Sequence, residues 1–140
     1  MKTTLKVATI AVSAALASFS MAASAQVSGD VVKIGFITDV SGLYSDIDGQ
    51  GGAEAIKMAI ADFGGTVLGK KIELVTADHQ NKPDIAVSIA RQWFDRDAVD
   101  MLLDVPTSSV ALALQSVVRE KNKVFINSGA ASMPQNRAGW

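Results

Sequence analysis

Apolar runs and amphipathic stretches alternate along the chain. Val31 to Thr38 is apolar at nearly every position, which suits a central parallel strand covered on both faces. Asp39 to Gly52 follows, with four glycines among small polar residues, and reads as a loop. Ala53 to Phe63 places Ile56, Ala59, Ile60 and Phe63 at the i, i+3, i+4, i+7 spacing of one helix face, and Gly64-Gly65 stops that helix. Thr66 to Lys70 reads as a turn around Gly69. Lys71 to Ala77 is a second strand, ending in Asp78-His79-Gln80-Asn81. Pro83 suits the first turn of a helix whose face carries Ala86, Ile89, Ala90 and Trp93 and which ends at Asp95 to Asp97. Val99 to Leu103 is a short third strand, opening into Asp104-Val105-Pro106-Thr107-Ser108-Ser109. Val110, Leu114, Val117 and Val118 form a third helix face, with Lys121 and Lys123 at its end complementing the helix dipole. Val124 to Asn127 is a fourth strand, followed by Ser128 to Ser132. Met133 to Trp140 shows no periodicity.

Strands that alternate with helices through short links predict an α/β fold with a doubly wound parallel sheet. Right-handed crossovers bring all four strand ends to one edge. Ligands of such sheets bind in the crevice beyond the carboxyl ends of the strands. Four polar clusters should meet there: Asp39–Ser45, Asp78–Asn81, Thr107–Ser109 and Asn127–Ser132.

The first residues stand apart from this pattern. Lys2 and Lys6 precede an uncharged apolar run from Val7 to Phe19, and Ala23-Ser24-Ala25 is an A-x-A cleavage site. The run is shorter than the ~20 residues of a spanning helix. Residues 1–25 therefore read as a secretory signal peptide, and residues 26–140 as one domain at most. Across its 140 residues the chain has 13 basic and 14 acidic side chains, a net charge of −1, and loses two lysines with the leader. That balance points to no nucleic acid and no anionic membrane surface. There is no cysteine, so an exported chain must rely on its core.

The strand-end clusters suit recognition of a small polar molecule. Thr107 or Ser108 is a good helix N-cap, and the free N–H groups of the turn beyond can hold a carboxylate. The same serines could merely cap the helix. Tyr44, in the glycine-rich loop, could stack on a ligand or hydrogen-bond it, or simply face solvent. No catalytic set is evident. Gly49-Gln50-Gly51-Gly52 is not a dinucleotide fingerprint, no phosphate-binding G-x-x-x-x-G-K-[ST] run occurs, and no G-x-S-x-G elbow is present. His79, the single histidine, reads as a surface residue at a strand end. Asp39, Asp78 and Asp104 each end a strand and could gather as a metal or phosphoacceptor cluster. The plainer reading is that they accept from nearby loop N–H groups. No metal site and no cofactor is assigned.

The run KIGFITDVSGLYSDIDGQGGAEAIKMAIADFGG, followed by LGKKIELVTADHQNKPDIAVSIARQWF, resembles the amino-terminal lobe of type I periplasmic binding proteins. More narrowly it resembles the leucine/isoleucine/valine-binding receptors of ABC transporters. The order and spacing of strand, S-G loop, G-A-E helix, G-G stop, G-K turn and a strand ending in D-x-x-x-x-P carry the likeness over residues 31–132. The resemblance implies an exported, non-enzymatic solute receptor with two lobes. Such a receptor traps an amino acid or small organic acid and delivers it to an ABC permease in the inner membrane. It places ligand contacts on Ser108, with Thr107 and Ser109, and on Gly129 and Ala131. The family often has a hydroxyl at the position of Ala131; here the hydroxyl comes one residue later, at Ser132. Members of the family are more than twice as long, so residues 26–140 correspond to a partial first lobe. A periplasmic sensor lobe that signals to a partner protein would share this fold and half-site. A secreted enzyme is the third alternative, disfavoured by the missing acid, base, nucleophile and metal set.

Overall fold

The computed structural model describes residues 27–131. The expected signal peptide, Ser132 and the tail after it lie outside the described residues. Within them the chain runs β1 (Val32–Thr38), α1 (Gly49–Asp62), β2 (Thr66–Val67), β3 (Lys70–Asp78), α2 (Pro83–Asp95), β4 (Met101–Leu103), α3 (Ser108–Glu120) and β5 (Val124–Ile126). The strands form one sheet in the order β2-β3-β1-β4-β5. β1 lies parallel to β3 on one side and to β4 on the other, and β5 is parallel to β4. This is the expected doubly wound α/β architecture.

The first departure is β2, which pairs antiparallel with the start of β3 where a simple turn was expected. Leu68 and Gly69, both at positive φ (53° and 73°), fold the chain sharply enough for their flanks to pair.

The second concerns α1, which begins at Gly49 rather than Ala53 and so absorbs the last glycines of the expected loop. A side chain at Gly52 would run into the Asp48 carboxylate and come within 2.8 Å of the Phe36 ring. Gly52 thus serves close approach of the helix to β1, not a turn. The face expected to be buried is largely open. Gly49 and Ala53 are buried, Ile56 and Ile60 are half-buried, Ala59 is exposed, and Phe63 is 67 % exposed. The periodicity of α1 is that of a buried helix, but among the described residues no second helix packs beside it.

The core lies on the opposite face, beneath α2 and α3. Ile37, Ala86, Ala90, Trp93, Phe94, Leu102, Val110, Leu114, Val117 and Phe125 belong to one buried cluster. Trp93 and Phe94 are core residues, as their helix positions suggest. α2 approaches β1 so closely that a Cβ at Gly35 would lie 2.7 Å from the Trp93 ring and 2.9 Å from Leu102. Arg91–Glu120 and Lys121–Asp95 ion pairs join α2 to α3 on the outside.

Candidate functional site

β1, β3 and β4 each end at or next to a carboxylate that shapes the loop beyond it. Asp39, fully buried, accepts from the N–H groups of Gly42 (2.9 Å) and Tyr44 (3.0 Å). Asp78 accepts from the N–H of Val40 (3.1 Å) and Gln80 (2.8 Å), and from the Ser41 hydroxyl (2.6 Å). Asp104 accepts from the N–H groups of Val105, Ser128 and Gly129, drawing the loops after β4 and β5 together. Asn127 adds to this by accepting from the Ala130 N–H and donating to the Val105 carbonyl. These aspartates are occupied with loop N–H groups, the plainer of the two readings. Among the described residues no group of three or more His, Cys, Asp or Glu could hold a metal.

The loops so held enclose an open cleft of ≈ 480 Å³. Tyr44 and Ile47 line it from the loop after β1. Pro106, Thr107, Ser108 and Ser109 line it from the junction of β4 and α3, and Gly129 and Ala131 from the loop after β5. The strand order reverses between β1 and its neighbour β4, and a doubly wound sheet opens its crevice at such a reversal. Six of the residues singled out from sequence, Tyr44, Thr107, Ser108, Ser109, Gly129 and Ala131, thus meet in one cleft. The seventh, Ser132, lies outside the described residues. Ile47 and Pro106 were not singled out. Both sit inside stretches read as strand-end loops, but an apolar loop residue carries no signal of which way it faces.

Thr107, not Ser108, holds the N-cap position of α3, yet its side chain makes no cap hydrogen bond. Its Oγ1 is buried without a hydrogen-bond partner among the described residues. Ser108 is the first residue of α3 and half-buried. The first N–H groups of a helix lack intrahelical acceptors and favour negative charge, so the cleft wall at 107–109 suits a carboxylate. None of the eight lining side chains carries a charge. Asp48 holds the N-cap position of α1. Burial, and then the charge of Asp104, hold its carboxyl above the usual range, partly offset by a bond from the Thr38 hydroxyl.

His79 is not the surface residue expected. It is fully buried, and its Nδ1 accepts from the Asn81 N–H at 2.9 Å. Its own N–H donates to the Thr38 carbonyl at 2.9 Å.

A largely parallel sheet wound on both faces thus carries hydroxyls and a helix N-terminus around an uncharged cleft at the strand-order reversal. The chain belongs to the periplasmic binding protein family, whose model matches residues 31–140. Similar solved structures include a periplasmic binding protein from Burkholderia mallei, 63 % identical over 74 % of this chain with a TM-score of 0.72. A branched-chain amino acid ABC transporter ligand-binding protein from Burkholderia xenovorans is 46 % identical over 72 % of the chain, with a TM-score of 0.70. An ABC-transporter solute-binding protein from Rhodopseudomonas palustris, solved with 3,4-dihydroxybenzoic acid, is 28 % identical over 74 %, with a TM-score of 0.69. The chain spans 28 %, 27 % and 28 % of the lengths of these three proteins. No curated protein matches it.

Proposed function

We propose that this chain is part of the solute-binding component of a periplasmic ABC importer. Its ligand is an amino acid or a related small organic acid, and its partner is an inner-membrane permease. The observation that carries this is the cleft where Tyr44, Thr107, Ser108, Ser109, Gly129 and Ala131 meet at the strand-order reversal. Family membership and the kinship to ABC-transporter receptors support it. In this reading the ligand carboxylate lies against the N-terminus of α3, where Ser108 and backbone N–H groups receive it, and Tyr44 and Pro106 flank its body. Export by residues 1–25 places the receptor in the periplasm. Among the described residues no helix is long and apolar enough to cross a membrane.

The test is a titration of the chain, followed by amide NMR, with branched-chain amino acids and with hydroxybenzoates. One class should bind weakly, on the order of millimolar as befits half of a closing site. Saturable shifts should centre on Tyr44, Thr107–Ser109 and Gly129–Ala131. Shifts elsewhere, or none with either class, would sink the assignment of this cleft.

A further inference from the structure

The turn from β3 to α2 is built around the one histidine of the chain. The His79 carbonyl accepts from the Lys82 N–H at 2.8 Å, closing a four-residue turn. Its two central residues, Gln80 and Asn81, have φ of 52° and 55°, a left-handed conformation in which glycine is usual at one position or both. Two bonds hold them there. The Gln80 N–H donates to Asp78 Oδ1 at 2.8 Å, and the Asn81 N–H donates to His79 Nδ1 at 2.9 Å. Because Nδ1 accepts, the ring is neutral and its proton sits on Nε2. That atom is buried with no hydrogen-bond partner among the described residues. On its other side Asp78 receives the Val40 N–H and the Ser41 hydroxyl, at the start of the loop that carries Tyr44 to the cleft. The charged groups that face the ring are Asp39 at the end of β1 and Asp78 at the end of β3.

We infer that this turn is an acid-sensitive latch: protonation of His79 opens it and loosens the tether between β3 and the Val40–Tyr44 loop. An imidazolium bears N–H on both nitrogens, so Nδ1 would meet the Asn81 N–H donor to donor. The bond is lost, and Asn81 is left in a left-handed conformation that nothing on its N–H side holds. The trigger lies on the acid side of the ordinary histidine range. Burial pushes the ring's pKa down, while the charges of Asp39 and Asp78 and the residue's own backbone act the other way without cancelling it. The folded chain therefore binds this proton less readily than the unfolded chain. The stability tied to the neutral ring is complete above about pH 6.5 and is lost as pH falls through the lowered folded value. None of this depends on what fills the cleft.

A single histidine makes the test direct. The ring carbon signal and the backbone amides of the whole chain are followed together by NMR from pH 8 downward. The ring should titrate with a midpoint below about 6.5. The amides of Asn81, Val40 and Ser41 should move on the same curve, and protection of the Asn81 amide should fall about tenfold, the loss of one hydrogen bond. A midpoint at or above that value, or amides indifferent to the ring's titration, overturns the latch. In His79→Asn the side-chain oxygen stands near the place of Nδ1, accepts from the Asn81 N–H and does not titrate. The acid step at Val40, Ser41 and Asn81 should then vanish, and its persistence would assign the step to another group. If that variant does not fold, the titration of the unaltered chain decides alone.

Discussion

Single positions in this chain carry opposed demands, and each can be separated by one substitution. Gly35 exists for Trp93: a methyl group there would press on the indole and on Leu102. Gly35→Ala should cost about 1–3 kcal/mol by overpacking, read as a lower urea midpoint with unchanged slope. Asp48 is the converse case, a carboxylate that its surroundings disfavour through burial and the nearby Asp104. Its folded pKa lies above the unfolded one, so its contribution to stability declines as pH rises through that raised value. Asp48→Asn, with asparagine itself a good N-cap residue, should raise the melting temperature at pH 7 and flatten its dependence on pH around and above 4. At the cleft, Thr107 holds the cap position of α3 and Ser108, its first residue, is the one proposed to receive the ligand. In a form that binds tightly enough to measure, Ser108→Ala should weaken affinity by roughly ten- to a hundredfold, the worth of one bond to a charged group. Thr107→Val, which removes a buried hydroxyl with no partner among the described residues, should not lower the melting temperature at all.

At the scale of elements, β5 shows how faces are divided. Phe125 is buried beneath α3, whereas Val124 and Ile126 are 54 % and 52 % exposed on the face that α1 leaves uncovered. Phe125→Ala should cost roughly 3–5 kcal/mol. Val124→Thr together with Ile126→Thr keeps β-branching, so each should alter stability by no more than about 0.5 kcal/mol, while light scattering should fall because an apolar edge has been made polar. The same elements show what the sequence made legible. Strand and helix order, the core faces of α2 and α3, and the convergence of strand-end loops all followed from periodicity, because those segments have partners within the chain. The face of α1 did not, since Ile60 and Phe63 have the spacing of buried residues and, among the described residues, no neighbouring helix buries them. β2 was missed because two residues are too short for an alternation. His79 was misjudged because a polar residue at a strand end gives no sign by itself that it is buried. The cleft residues were legible from position and family resemblance together; Ile47 and Pro106 show where position alone stops.

Over the whole molecule, two carboxylates tie the sheet at opposite ends. Asp78 does so at the cleft edge. Asp100 does so at the other edge, where it accepts from the N–H groups of Ser28 (2.6 Å) and Lys33 (2.9 Å). Burial would raise both, but the hydrogen bonds outweigh it and hold both below the usual carboxylate range. Their stabilisation is present above about pH 3.9 and is lost as pH falls through the lowered folded values. Thermal melts by circular dichroism should therefore show an acid step well below that of His79, and Asp100→Asn should diminish this lower step alone. One last consequence follows from the seat of β1 in the middle of the sheet. Ile34 pairs with Leu74 on one side and with Met101 on the other. The first strand to leave the ribosome is thus the one that waits longest for its second neighbour, which is not made until most of the described chain has been translated. Such long-range pairing slows folding. A polypeptide that stays loose through most of its synthesis is one that can still be threaded through a membrane pore.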